Sequence, residues 1–206
     1  MIIGISGFIG SGKDTIANYL VNNYNFSRES FASTLKDIVS ATFGWDRGLL
    51  EGNTSHSREW REQIDVWWAN RLGISNLTPR WVLQYWGTDV LRKGFHDDIW
   101  IASLENKLRN TTTNIVISDC RFPNEISAIR DQGGITIWVQ KGDLPQWYDI
   151  AVAANNGDST AIQQLKTFNV HASETSWVGS KFHYIVKNNS NFDVLYKQIQ
   201  EILDDN

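Results

Sequence analysis

Two hydrophobic periods alternate along this chain. Residues 2–5 form a short β-branched run between polar and glycine positions, which predicts a buried strand. Ile16, Ala17, Leu20 and Val21 then recur at helical spacing, so residues 13–23 are expected to be helical. Residues 26–32 alternate weakly and read as a strand, and 35–43 as a helix. Residues 58–72 read as one amphipathic helix, with Arg58 and Arg61 at salt-bridge spacing from Glu62 and Asp65. Thr78-Pro79 opens the next helix, with Thr78 as N-cap and Pro79 in the first turn. On that helix Arg80, Gln84 and Thr88 share a face, while Val82, Trp86 and Val90 lie nearly opposite and are expected to pack inward. Gly87 weakens the helix locally. Asp97 or Asp98 is expected to cap a helix that runs to Leu108.

Beyond it, residues 114–118 are the clearest internal strand, and Pro123–Asp131 is a helix closed by Gly133-Gly134. Ile135–Gln140 and residues 184–186 are strands, and residues 192–203 a closing helix. Residues 144–155 and 158–168 are helix-like. Strands alternating with helices predict an α/β fold: a mainly parallel sheet of about five strands, covered on both faces in a three-layer α/β/α arrangement.

Composition narrows the class. A chain of 206 residues is the size of one domain, with room for a mobile appendage. Its 41% hydrophobic content suffices for one sizeable core, and its net charge of -4 gives no support to sequence-independent binding of a nucleic-acid polymer. Cys120 is the sole cysteine, so no internal disulfide can form. The first residues lack the basic segment of a secretion signal, and no apolar run approaches the roughly 20 residues needed to span a bilayer. A reducing, cytoplasmic setting is expected. The ten tryptophans are expected mostly to line the core and cleft walls.

The chemistry concentrates at three places. Gly7-Phe8-Ile9-Gly10-Ser11-Gly12-Lys13-Asp14-Thr15 follows the first strand and opens a helix, the context a P-loop requires. Gly7, Gly10 and Gly12 let the backbone curl so that successive N–H groups face a phosphate. The helix N-terminus adds partial positive charge, and Lys13 can reach the β- and γ-phosphates. Asp14 stands where a hydroxyl is usual. A carboxylate there suits magnesium, directly or through water, while Thr15, one residue later, supplies the hydroxyl. Second, Ser118-Asp119-Cys120-Arg121 lies just past an internal strand, at the carboxyl edge where open sheets bind ligands. Asp119 is placed to orient a magnesium water and Arg121 to contact phosphate. The bland alternative is a turn cap, with Arg121 paired to Glu125. Cys120 reads as a small buried residue. Third, the face carrying Arg80, Gln84 and Thr88 pairs an arginine suited to phosphate with a glutamine that can read a base edge; a solvated polar face is the alternative.

These motifs together resemble the bacteriophage deoxynucleoside monophosphate kinases, relatives of the adenylate-kinase-like P-loop kinases. The resemblance rests on Ser11-Gly12-Lys13-Asp14-Thr15, Pro79-Arg80 with Leu83-Gln84, Trp86-Gly87-Thr88-Asp89, His96-Asp97-Asp98-Ile99-Trp100 and Asp119-Cys120-Arg121-Phe122-Pro123-Asn124-Glu125. His171-Ala172-Ser173-Glu174 looks like a further element. The likeness implies ATP on Gly7, Gly10, Ser11, Gly12, Lys13, Asp14 and Thr15, with Mg2+ held by Asp14, Thr15 and Asp119. It implies a deoxynucleoside monophosphate held by Lys36, Arg80, Gln84, Thr88, Asp89, Arg92 and Arg121, with Lys13, Arg80 and Arg121 catalytic. A helical nucleotide-binding region over about 33–110 and a lid-like region over about 141–177 are expected within one kinase domain.

No arginine follows Arg130, so the lid-like stretch offers only Lys141 and Lys166. Charge on the reacting phosphates is therefore expected to fall to Lys13, Arg80 and Arg121, with Arg92 or Arg130 in support. The expected partners are ATP and a deoxynucleotide, with no nucleic-acid polymer and no membrane; assembly as a homodimer is left open. Competing readings are a P-loop kinase of another phosphorylated metabolite and a non-catalytic nucleotide-binding switch.

Overall fold

The computed structural model describes residues 1–109 and 111–206. The chain divides into two compact units: residues 1–30 with 108–206, and residues 31–107.

The first unit is built on a five-stranded, wholly parallel sheet in the order β2-β3-β1-β4-β5. The strands are β1 (Ile2–Ser6), β2 (Phe26–Glu29), β3 (Asn114–Ile117), β4 (Ile135–Gln140) and β5 (Tyr184–Lys187). Each short apolar run expected to be a strand is one, although β2 ends at Glu29, short of residue 32. Register sets Ile3 beside Val116 on one side and Ile135 on the other. Central parallel strands are covered on both faces, which is why β1 is apolar on consecutive residues where a half-exposed strand would alternate. On one face lie α1 (Lys13–Tyr24) and the C-terminal helix α12 (Phe192–Asp204), whose Ile16, Leu20, Leu195, Ile199 and Ile202 join Ile3, Ile5, Val116 and Ile137 in one buried cluster. On the other lies α8 (Pro123–Asp131). A methyl at Gly4 would collide with its Ile129, so glycine there permits the close approach of helix to strand. This is the expected three-layer α/β/α fold. Between β4 and β5 the chain forms α9 (Tyr148–Asn155), α10 (Ser159–Lys166) and the short α11 (Ala172–Thr175). The first two answer the helix-like stretches of the sequence, and α11 was not anticipated. Asp158 caps α10 by accepting from the Ala161 N–H at 2.9 Å.

The second unit is helical: α2 (Ser33–Phe43), α3 (Arg47–Glu51), α4 (Ser55–Glu62), α5 (Val66–Leu72), α6 (Pro79–Gln84) continuing into a π-helix (Tyr85–Arg92), and α7 (Ile99–Leu108), whose last residue falls to the first unit. Three sequence expectations are corrected here. First, residues 58–72 are two helices. The chain is extended at Gln63, and Asp65 starts α5 by accepting from the Trp68 N–H. Asp65 also takes the Trp45 indole N–H at 2.8 Å, so it is no surface partner for Arg61. Glu62 pairs with Arg80 at 3.0 Å. Second, the helix opened by Thr78-Pro79 is not uniformly α. Its π segment puts more residues into each turn and so rotates less per residue than a 3.6-residue wheel assumes, and Val90 is 41% exposed while Thr88 and Arg92 are buried at 7% and 4%. Third, α3 was not foreseen. Thr78 does cap α6, accepting from the Trp81 N–H at 3.1 Å, and α7 begins where the Asp98 carbonyl accepts from the Ala102 N–H.

The tryptophans pack as expected, in a separate nest within each unit. Phe43 gathers Trp45, Trp68 and Trp86 in the second. Phe8 gathers Trp147, Tyr148 and Trp177 in the first. Trp67 stands out, 63% exposed.

Candidate active site

β1 lies between β3 and β4, so its carboxyl end is the point where chain connections diverge to opposite sides of the sheet, the crevice in which α/β proteins bind ligands. The loop from Gly7 to Gly12 sits there and runs directly into α1. Gly10 and Gly12 take left-handed φ values of 77° and 102°, which L side chains rarely adopt. Gly7 has no room for a side chain, since a methyl there would lie 2.6 Å from the Val139 carbonyl oxygen. The loop is fixed from outside by Asn188, just past β5, which donates through Nδ2 to the Ser11 carbonyl at 2.8 Å. The same amide group lies where a side chain on Gly12 would go. Inside the loop the Ser11 hydroxyl is buried and has no hydrogen-bond partner among the described residues. A buried polar atom left unsatisfied marks a place for a ligand.

Lys13 is folded back over this cradle, donating to the Gly7 and Phe8 carbonyls at 2.8 Å each. Its pKa is lowered from 10.5 to about 8, chiefly by burial and then by the nearby Arg121 charge, against the opposing pull of Asp14, Glu174 and Asp119. One further cation and three carboxylates thus act on the Lys13 ammonium. Phosphate entering there would replace the carbonyls as the partner of the ammonium and raise its pKa again.

The sequence placed Asp14 as a metal ligand. In the structure its carboxylate pairs with Arg28, the third residue of β2, and accepts from the Ser118 hydroxyl at 3.1 Å. Arg28 also donates to Ser118 at 2.7 Å. Asp119 accepts from the Ser30 hydroxyl at 2.6 Å. The result is an oxygen-rich rim of Asp14, Ser118, Asp119 and Ser30 at the carboxyl ends of β2 and β3. No group of three or more His, Cys, Asp or Glu side chains suited to a metal is found among the described residues.

Arg121 follows Asp119 and does not pair with Glu125 through its guanidinium. Glu125 is buried and accepts instead from the backbone N–H groups of Arg121 and Phe122, at 2.7 and 3.1 Å. It thereby caps α8 and fixes the turn. The Arg121 guanidinium reaches α11, where Nη1 donates to Glu174 at 2.7 Å and lies 3.4 Å from the Ser173 hydroxyl. His171 is the N-cap of α11, accepting from the Ser173 N–H. Cys120 is buried, and burial pushes its thiol pKa well up, which leaves it unsuited to nucleophilic attack.

The remaining sequence candidates belong to the second unit. Lys36 bonds Glu51 at 2.6 Å, and Arg47 shares that carboxylate. Burial alone would raise the Glu51 pKa, but the hydrogen bond and charge of Lys36, with those of Arg47, more than offset it and lower the value. Arg80 pairs with Glu62 and Asp89 with Lys93. Arg92 is almost wholly buried and donates to the Asp97 carbonyl at 2.8 Å, which fits a structural brace more than a substrate contact. Arg28, Ser30 and Asn188 were missed by sequence reasoning, and Ser118 and Glu174 were named within motifs but given no role of their own. The strand-end positions of Arg28 and Ser118 carried a signal, since carboxyl ends of parallel strands line the site. Glu174 stood in the His171-Ala172-Ser173-Glu174 element without a role attached to it, and Asn188 carried no signal, because it belongs to no motif whose chemistry calls for it.

Comparison with known proteins agrees with the motifs. Residues 52–153 match the model of the family described as deoxynucleotide monophosphate kinase. A protein of Acanthamoeba polyphaga mimivirus with the provisional name deoxynucleotide monophosphate kinase is 29% identical over 218 aligned positions, spanning 99% of this chain and 96% of its own. The deoxynucleoside-5'-monophosphate kinase of Escherichia phage T5 is 26% identical across 64% of this chain and 72% of its own. Among solved structures, shikimate kinase from Aquifex aeolicus aligns over 99% of this chain and 96% of its own, at 12% identity and a TM-score of 0.45. The chain is thus similar to the deoxynucleotide monophosphate kinases, across its middle to their family model and along nearly its whole length to one relative.

Proposed function

We propose that this protein is a deoxynucleoside monophosphate kinase, transferring the γ-phosphoryl group of ATP to a dNMP to give dNDP and ADP. The observation that carries this reading is the half-buried Lys13 in a glycine cradle at the end of β1, with Arg121 close enough to lower its pKa. Two relatives named as deoxynucleotide kinases, one along nearly the full chain and one over 64% of it, support the acceptor class.

The reaction needs no covalent intermediate. An acceptor phosphate oxygen forms a bond to the γ-phosphorus as the bond to the β–γ bridging oxygen breaks, and ADP leaves. Catalysis is positioning and electrostatics. Backbone N–H groups of the cradle and the Ser11 hydroxyl hold the β-phosphate. Lys13 leaves the Gly7 and Phe8 carbonyls and neutralises charge between β- and γ-phosphates. Arg121 grips the transferring group. The acceptor falls to Arg80, with Gln84, Thr88 and Asp89 beside it in sequence; Lys36 and Arg92 contribute by bracing their own helices. The rim carrying Asp14 and Asp119, with Thr15 next to Asp14 in sequence, suits magnesium, which takes oxygen donors and commonly only one or two carboxylates beside phosphate and water. When bound, the ion offsets the charge of the phosphate oxygens. Asp14 must exchange its Arg28 partner to serve, so Asp119 is the stronger candidate.

The test is ATP- and Mg2+-dependent diphosphate formation across dTMP, dGMP, dCMP, dAMP and their ribose counterparts, beside Lys13→Ala. The expected result is product from one or more deoxynucleotides, reduced about 10²–10³-fold in a folded Lys13→Ala variant. ATP binding with no acceptor-dependent product would overturn the reading in favour of another metabolite or a binding switch.

A further inference from the structure

Two cations converge on the phosphate cradle, and like charges held together repel. Lys13 is pinned by two backbone carbonyls. Arg121 has no such anchor for its guanidinium in its own loop, since Glu125 is occupied with backbone N–H groups. Its side chain is 42% exposed, which leaves it free to sample many rotamers unless something holds it. What holds it is α11. Glu174 accepts from Nη1 at 2.7 Å, and its own side chain is only 16% exposed. Ser173, buried at 8%, offers a second oxygen to the same nitrogen. Ser173 is itself fixed, with its hydroxyl 2.9 Å from Nδ1 of His171 and its N–H donating to that nitrogen at 3.2 Å. Only Nη1 is used in this way. The remaining N–H groups of the fork have no side-chain partner among the described residues, and a guanidinium can present them to a phosphate while one edge stays tethered.

We propose that Glu174, seconded by Ser173 and His171, is the positioning residue of Arg121, holding one edge of its guanidinium so that the other faces the reacting phosphates. This extends the kinase reading and rests on it for the role of Arg121. It also explains how a chain without arginines after residue 130 uses its helical insertion between β4 and β5: the insertion supplies an anchor for an arginine of the body.

The experiment is a double-mutant cycle in the full-length protein: wild type, Glu174→Ala, Arg121→Ala and the pair, with Glu174→Gln as the conservative variant. Each is assayed for kcat and for KM of ATP and dNMP, with thermal melts alongside. Losing a charged hydrogen bond of this kind is expected to lower kcat/KM by about 10–100-fold in Glu174→Ala. In the Arg121→Ala background the same substitution should change kcat/KM by less than about 2-fold, because nothing is left to position. Glu174→Gln, which keeps an acceptor at the same reach, should recover much of the loss. Additive losses in the cycle overturn the proposal, as does a Glu174→Ala rate equal to wild type. The wild-type rate with dNMP tests the kinase reading separately. If that rate is nil, the cycle is read in MgATP affinity by calorimetry, where non-additive losses support the Glu174–Arg121 coupling and additive ones overturn it.

Discussion

At the scale of single residues, Lys13 sets the most direct expectation. Its pKa of about 8 puts its loss of charge within a measurable range. A lysine with a depressed pKa is protonated below that value and neutral above it, so kcat/KM for ATP should fall as pH rises through about 8. Arg121 lowers this pKa and Glu174 raises it. Arg121→Ala should therefore move the alkaline limb to higher pH, and Glu174→Gln to lower pH. A limb unmoved by either variant would show that another group titrates. The P-loop itself was legible in the sequence, because its requirements are local: glycines for the curl, a lysine, and a strand before and a helix after. The tether between Arg121 and Glu174 was not, since the partners are separated by 53 residues and only the fold brings them together. The same holds for Asn188 on the Ser11 carbonyl, a separation of 177 residues. Its removal should loosen the cradle: Asn188→Ala is expected to raise KM for ATP several-fold with little change in melting temperature, whereas unchanged KM would reduce it to a packing residue.

At the scale of elements, the sequence located nearly every helix and strand but misjudged how two long helical patterns continue. Periodicity reports which side of a segment is apolar, and it assumes a constant turn. The π segment from Tyr85 breaks that assumption, so Val90 emerges and Thr88 goes inside. The break at Gln63–Asp65 was hidden for a different reason. Asp65 looked like a charge on a helix surface, yet it is an N-cap that also binds an indole from another helix connection. Asp65→Ala removes both bonds and should destabilise the protein by about 2 kcal/mol. Asp65→Asn keeps the capping oxygen and should cost less. Urea denaturation of both variants at constant m-value decides this, and an alanine cost below about 0.5 kcal/mol would mean α5 is held by packing alone.

At the scale of the whole molecule, the two units are built from different interiors. The first is a parallel sheet whose Ile3, Ile5, Val116, Ile137 and Val139 are fully enclosed, with Ile16, Leu20 and Ile199 covering them. Its central strand β1 is paired on both sides, with β3 and with β4. The second has short helices of five to eleven residues, with aromatic rings around Phe43 and few side chains removed wholly from solvent. Short helices open at little cost because each carries few internal bonds, and their stability comes from packing. Hydrogen exchange should accordingly grade the chain. Amides of β1, β3 and β4 are expected to exchange only by global unfolding, and those of α3, α4 and α5 through openings of lower free energy. The ordering can be read by mass spectrometry of peptides from the intact protein across a series of urea concentrations. The central strands should track the global transition, while the α3–α5 peptides exchange at rates that urea barely changes. If both sets followed urea with the same slope, the units would unfold as one cooperative body, and the short helices would owe their stability to the rest of the chain.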